Sequence, residues 1–88
     1  MEEINIEEIK PILDKIKMMQ VWSSNILAIG YDENSRILKV FFQNRSCYAY
    51  FNVEPEVWNN LLMSESKGRT LNESIVRHKD KYKFMKLM

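Results

Sequence analysis

Cysteine is nearly absent: the 88 residues hold one, Cys47, so no intrachain disulfide exists and a reducing compartment is expected. Cys47 stands in an apolar run and reads as a small packed residue rather than a reactive thiol. Glycine and proline number two each, and 45% of residues are hydrophobic, which excludes fibrous and disordered classes. No apolar run approaches the roughly 20 residues of a membrane span. The opening MEEINIEE is acidic and lacks the basic-then-apolar order of a secretion signal, so cytoplasm is the expectation. One histidine, His78, stands in a lysine-rich segment, and no H-E-x-x-H, phosphate loop or Ser/His/Asp order occurs. An enzyme is therefore the least supported reading, and no metal or cofactor is expected.

Charge is balanced overall and uneven locally. The net charge is +1, yet residues 65–88 carry seven Lys or Arg against three acids. A long nucleic acid draws its affinity from many phosphate contacts, which one basic tail supplies only in part. A small nucleotide with one to three phosphates needs far fewer.

The patterning predicts one α+β domain. Asn5 followed by Glu8 is a cap-like opening, and Ile9, Ile12, Leu13, Ile16 and Met19 recur at helical spacing over 5–19. Pro11 predicts a kink, or a start nearer Pro11. Three strands follow, "SNILAIGYD" (24–32), "ILKVFFQ" (37–43) and "CYAYFNV" (47–53), separated by polar turns, as an antiparallel meander. Period two puts Leu38, Val40 and Phe42 on one face, with Ile37, Lys39 and Phe41 on the other. Tyr48 and Tyr50 share a face opposite Cys47, Ala49 and Phe51. Both faces are apolar, so each needs a cover. Two helices are available: one opened by Pro55, with Val57, Trp58, Leu61 and Leu62 as its stripe, and one in "SKGRTLNESIVRHKDKY". The N-terminal helix or a second subunit covers the remaining face. Ile9, Leu13 and Ile16 are the candidate self-association stripe of a homodimer or homotetramer. The tail "YKFMKLM" is either an edge strand or a loose end.

The run from Val21 to about Lys83 resembles the KTSC domain, a module found at the C-terminus of some lysyl-tRNA synthetases and as stand-alone bacterial and phage proteins. The matching pieces are "SSNILAIGYD", "LKVFF", the central "YAY", "NVEPEVWNNLL" and "SESKGRTLNESI". Residues 1–20 lie outside it, and 84–88 form a tail. This chain has Asn44-Arg45-Ser46 where the family usually has a glycine. Leu71 precedes Asn72 where an aromatic is common, and Val76 stands where arginine is common, with Arg77 one place later. The resemblance implies RNA binding, suggested by the synthetase context, and carries a ligand role to Arg77. By analogy with small phage proteins it also points to sequestering of cyclic-dinucleotide immune signals.

Two constellations carry the binding chemistry. Tyr48 and Tyr50 are either core filling or a platform on which a base stacks, at about 1–3 kcal/mol per base. In "SESKGRTLN" (64–72), Ser66, Lys67, Gly68, Arg69, Thr70 and Asn72 gather hydroxyls, cations and a glycine ahead of a helix start. They form either a phosphate site or a capped turn in which Gly68 ends one helix and Thr70 caps the next. Ser24 and Asn25 are a second polar cluster at a strand entry. The expectation is a non-catalytic binder of a nucleotide-type ligand, with RNA binding or a protein-interaction adaptor as alternatives.

Overall fold

The computed structural model describes residues 5–88. Helix α1 (Ile6–Lys15) leads into strand β1 (Met19–Gln20), then β2 (Ile26–Asp32), β3 (Ile37–Phe42) and β4 (Cys47–Tyr50). Helices α2 (Pro55–Met63) and α3 (Lys67–Leu71) follow, the latter continuing as a π-helical turn (Asn72–Val76), and strand β5 (Phe84–Lys86) ends the sheet. The α+β class and the three-strand meander hold. Two short edge strands widen the meander to five antiparallel strands in chain order.

The alternation in β3 and β4 sets the two faces. Leu38 pairs with Tyr50 and Val40 with Tyr48, so these four side chains share one face, and Ala49 lies opposite beside Lys39. In β2 a bulge between Ile26 and Ala28 inserts Leu27. One extra residue flips the parity, which is why Ile26 and Ile29, three apart, are both fully buried in the same core. That core joins the sheet to Leu61 of α2, and to Leu71 and Ile75 of α3 and its π-helical turn. Tyr31 stacks on Trp58 at 5.3 Å, and its hydroxyl donates to the Val53 carbonyl at 2.6 Å.

The other face is covered by α1. Leu13 and Ile16 pack with Ile37, Ala49 and Phe51, with Ile9 half-buried beside them. This corrects the assignment of Ile9, Leu13 and Ile16 to self-association. A chain with two apolar sheet faces and one spare amphipathic helix lays that helix on its own sheet. The crossing is close: a β-carbon on Gly30 would stand 2.5 Å from the Lys17 carbonyl oxygen. Pro11 neither starts nor ends the helix, which runs through it from a cap where Asn5 Oδ1 accepts from the Glu7 N–H. The helix ends at Lys15, four residues earlier than its apolar stripe suggested, because Ile16 turns extended to cross the sheet.

Behind α2, Glu54 fastens the C-terminal segment to the helix entry. The Tyr82 hydroxyl donates to Glu54 Oε1 at 2.8 Å, and the Lys81 ammonium pairs with Oε2 at 3.0 Å. These contacts hold the Glu54 carboxyl down at about 2, with the Tyr82 hydrogen bond the largest cause. No helix among the described residues is long and apolar enough to cross a membrane.

Candidate functional site

Two adjoining recesses open on the α3 side of the sheet. The first, about 430 Å³, lies between the Tyr48–Tyr50 face, β5 and the helix made by α3 and its π-helical turn. Its sheet wall is aromatic: Tyr48 meets Phe42 edge-on at 5.9 Å, Tyr50 in a stack at 6.2 Å and Phe84 at 5.9 Å. The pair divides its labour. Tyr50 is buried, and burial, then the nearby Tyr48, pushes its phenol up to about 12, so Tyr50 is a core residue. Tyr48 is half-buried and gives the recess an open ring.

The helical wall owes its shape to the π-helical turn, closed by the Arg77 N–H donating to the Asn72 carbonyl five residues back. Such turns are rare and recur at functional sites. Leu71 and Ile75 form the floor, while Asn72 and Lys79 bring polar groups to the recess.

The second recess is a polar cleft of about 790 Å³ whose wall includes Trp22, Ser24, Ser66 and Arg69. Asn25, Gly68 and Asn72 line both recesses and so form the boundary between them. The Asn25 amide lies directly on Gly68, where any β-carbon would overlap its oxygen and stand 3.1 Å from Cγ. The Ser23 hydroxyl donates to that oxygen at 3.0 Å, and the Asn25 carbonyl accepts from the Gln43 N–H at 2.9 Å. Gly68 therefore does not end a helix. It sits inside α3, and its missing side chain admits Asn25.

The fold thus unites two polar clusters distant in sequence, with Ser24 and Asn25 facing Ser66, Gly68, Arg69 and Asn72. Three expected residues have other roles or places. Lys67 lines the cleft, but its ammonium donates to the Leu62 and Ser64 carbonyls at 3.1 and 2.8 Å, capping the end of α2. The Thr70 hydroxyl bonds that of Ser64 and lines neither recess, so it does not cap a helix start. Arg77 is exposed beyond the π-helical turn and lines neither recess.

The site residues that sequence reasoning missed include Phe84, Lys79, Glu65, Glu73 and Trp22. Phe84 was legible only as the alternation in the tail. Trp22 is 99% exposed, and no apolar periodicity accompanies it. His78 closes the helix end instead, its Nε2 lying 2.8 Å from the Glu73 carbonyl oxygen. Among the described residues no three His, Cys, Asp or Glu side chains gather as metal ligands.

The KTSC domain family model matches residues 22–82. A protein of Tsukamurella paurometabola is 46% identical over 55 residues, spanning 62% of this chain and 82% of that protein. One of Stutzerimonas stutzeri is 38% identical over 58 residues, spanning 66% of this chain and 82% of that protein. The crystal structure of a KTSC domain protein from Yersinia pestis superposes with a TM-score of 0.75 at 33% identity, covering 83% of this chain and 99% of that one.

Proposed function

The chain belongs to the KTSC domain family, and from that premise we propose that it is a non-catalytic protein that binds a small nucleotide-type ligand. The observation that carries this reading is the union of an aromatic recess with a polar cleft across the shared boundary of Asn25, Gly68 and Asn72. A base stacks against Tyr48 and Phe84, and its sugar and phosphate reach over that boundary toward Ser24, Ser66 and Arg69. The recess of about 430 Å³ falls within the roughly 300–1,000 Å³ of ordinary ligand sites. Arg69 has no ion-pair partner among the described residues, which leaves its guanidinium available to an anion. Sequestering of a cyclic-dinucleotide immune signal is the finer form of this reading, and RNA binding its rival.

The test is the thermal midpoint of the purified protein against mononucleotides, cyclic dinucleotides and short RNAs at physiological salt. A ligand at about one hundred times its Kd adds about 2.7 kcal/mol, several degrees for a domain of this size. Tyr48→Ala and Arg69→Ala should each remove most of that shift, and Arg77→Ala should leave it. A shift from RNA alone, lost in salt, would favour the RNA reading. No shift from any member would turn the search toward a protein partner. Light scattering of the free and bound protein would read whether copies assemble as a homodimer or homotetramer around the ligand.

A further inference from the structure

Trp22 calls for an explanation that the fold does not supply. An indole 99% exposed stabilises nothing, yet it stands on the wall of the polar cleft. Tyr48 and Phe84 line only the aromatic recess, Trp22 only the cleft, and Asn25, Gly68 and Asn72 lie between them. The site therefore offers two aromatic stations on either side of one polar boundary.

Charge restricts what crosses that boundary. The cleft is lined by two cations, Lys67 and Arg69, and two carboxylates, Glu65 and Glu73. Lys67 spends its donors on the Leu62 and Ser64 carbonyls. Lys79, on the aromatic recess, leaves the whole site with one net positive charge. A triphosphate tail would meet two carboxylates with too few cations, while a phosphodiester carries a single charge and fits the balance.

We propose, resting on the nucleotide-binding reading above, that the ligand class is a dinucleoside monophosphate unit. One base stacks on Tyr48 and Phe84, the second stacks on Trp22, and the phosphodiester between them lies over Asn25 and Asn72 beside Arg69. The same unit occurs in a free linear dinucleotide, twice in a cyclic dinucleotide, and within single-stranded RNA. The site's one net charge favours the free linear form over a cyclic dinucleotide, whose second phosphodiester it does not match, and over a longer strand, which brings phosphates that nothing here neutralises.

The experiment is calorimetric titration of the full chain and of Trp22→Ala with adenosine monophosphate, adenosine triphosphate, adenylyl-3′,5′-adenosine and a ten-residue oligoadenylate. The guanine and uracil counterparts form a parallel set. Trp22 is exposed, so its removal leaves the fold intact, which the unfolding midpoint verifies. The dinucleoside monophosphate should bind roughly 5- to 150-fold tighter than the mononucleotide, the range of one stacked base. Trp22→Ala should erase that advantage while leaving mononucleotide affinity unchanged, and the triphosphate should bind no better than the monophosphate. A decamer that binds much more tightly than the dinucleotide, with affinity falling steeply in salt, would assign the unit to RNA and overturn the free form. Equal affinity for one and two bases, unaltered by Trp22→Ala, would overturn the two-station site and leave the nucleotide-binding reading standing. No binding by any probe in either set would overturn both.

Discussion

Replacing Gly30 by alanine adds one methyl group where the N-terminal segment crosses the sheet. Its β-carbon would stand 2.5 Å from the Lys17 carbonyl oxygen, 2.7 Å from Ile16 Cγ2 and 2.8 Å from Met18 Sδ. The thioether can turn aside, but the carbonyl is backbone, so residues 16–18 must lift. Overpacking of this kind costs about 1–3 kcal/mol. Full loss of the crossing would also expose Leu13 and Ile16, each worth about 1.5–3 kcal/mol of burial, so the ceiling is about 3–6 kcal/mol. The expected cost is about 2–4 kcal/mol, between local strain and full detachment. At roughly 4–8 °C per kcal/mol, Tm should fall by about 8–32 °C. Urea unfolding followed by circular dichroism reads both midpoint and slope. An unchanged slope marks strain, and a shallower one marks α1 already detached in the native state. A stability change within about 0.5 kcal/mol would refute the placement of α1 on the sheet and return its stripe to self-association.

Arg45→Gly should stabilise the protein. Arg45 is exposed with φ at 73°, a left-handed conformation that costs a side-chain-bearing residue about 1–2 kcal/mol, and glycine's extra chain entropy offsets about 0.5–1 of that. The net is a Tm rise of a few degrees by calorimetry. Leu13→Ala should cost about 2–5 kcal/mol in urea unfolding without changing the native mass measured by light scattering. Glu54 sets an acid limit. Its folded pKa of about 2 lies below the ordinary 4.5, so its contribution is fully present above about 4.5 and is lost as pH falls through about 2. The stability gap between wild type and Glu54→Gln should be constant from pH 5 to 8 and close below pH 4.5. Lys81, raised by Glu54 and then Tyr82, contributes fully below its ordinary 10.5 and loses that contribution as pH rises past its folded value. The same gap should therefore begin to narrow again in strong base.

The central sheet was legible because alternation is a strong signal over six residues. Leu38 and Val40 opposite Ile37 and Lys39, and Tyr48 and Tyr50 opposite Ala49, stand as their spacing implied. The bulge after Ile26 was not legible, since one inserted residue looks like an ordinary run of apolar side chains. Strands of two and three residues at the edges are too short to show a period. The polar clusters were each found, but only the tertiary fold places Asn25 on Gly68 and so joins them. Composition flagged Lys67 and Thr70 correctly as polar and near, yet the helix end needed both, which local sequence does not disclose. Trp22 and Phe84 escaped because an aromatic at a site differs from one in a core only by what covers it.

The most direct test of the site is an amide chemical-shift titration of uniformly 15N-labelled protein with adenylyl-3′,5′-adenosine, followed by its guanine and uracil counterparts. The largest shifts should fall on Asn25, Gly68 and Asn72, with Trp22 and Tyr48 next, and residues under α1 should stay still. Shifts absent throughout the series, or confined to the α1 face, would contradict the account.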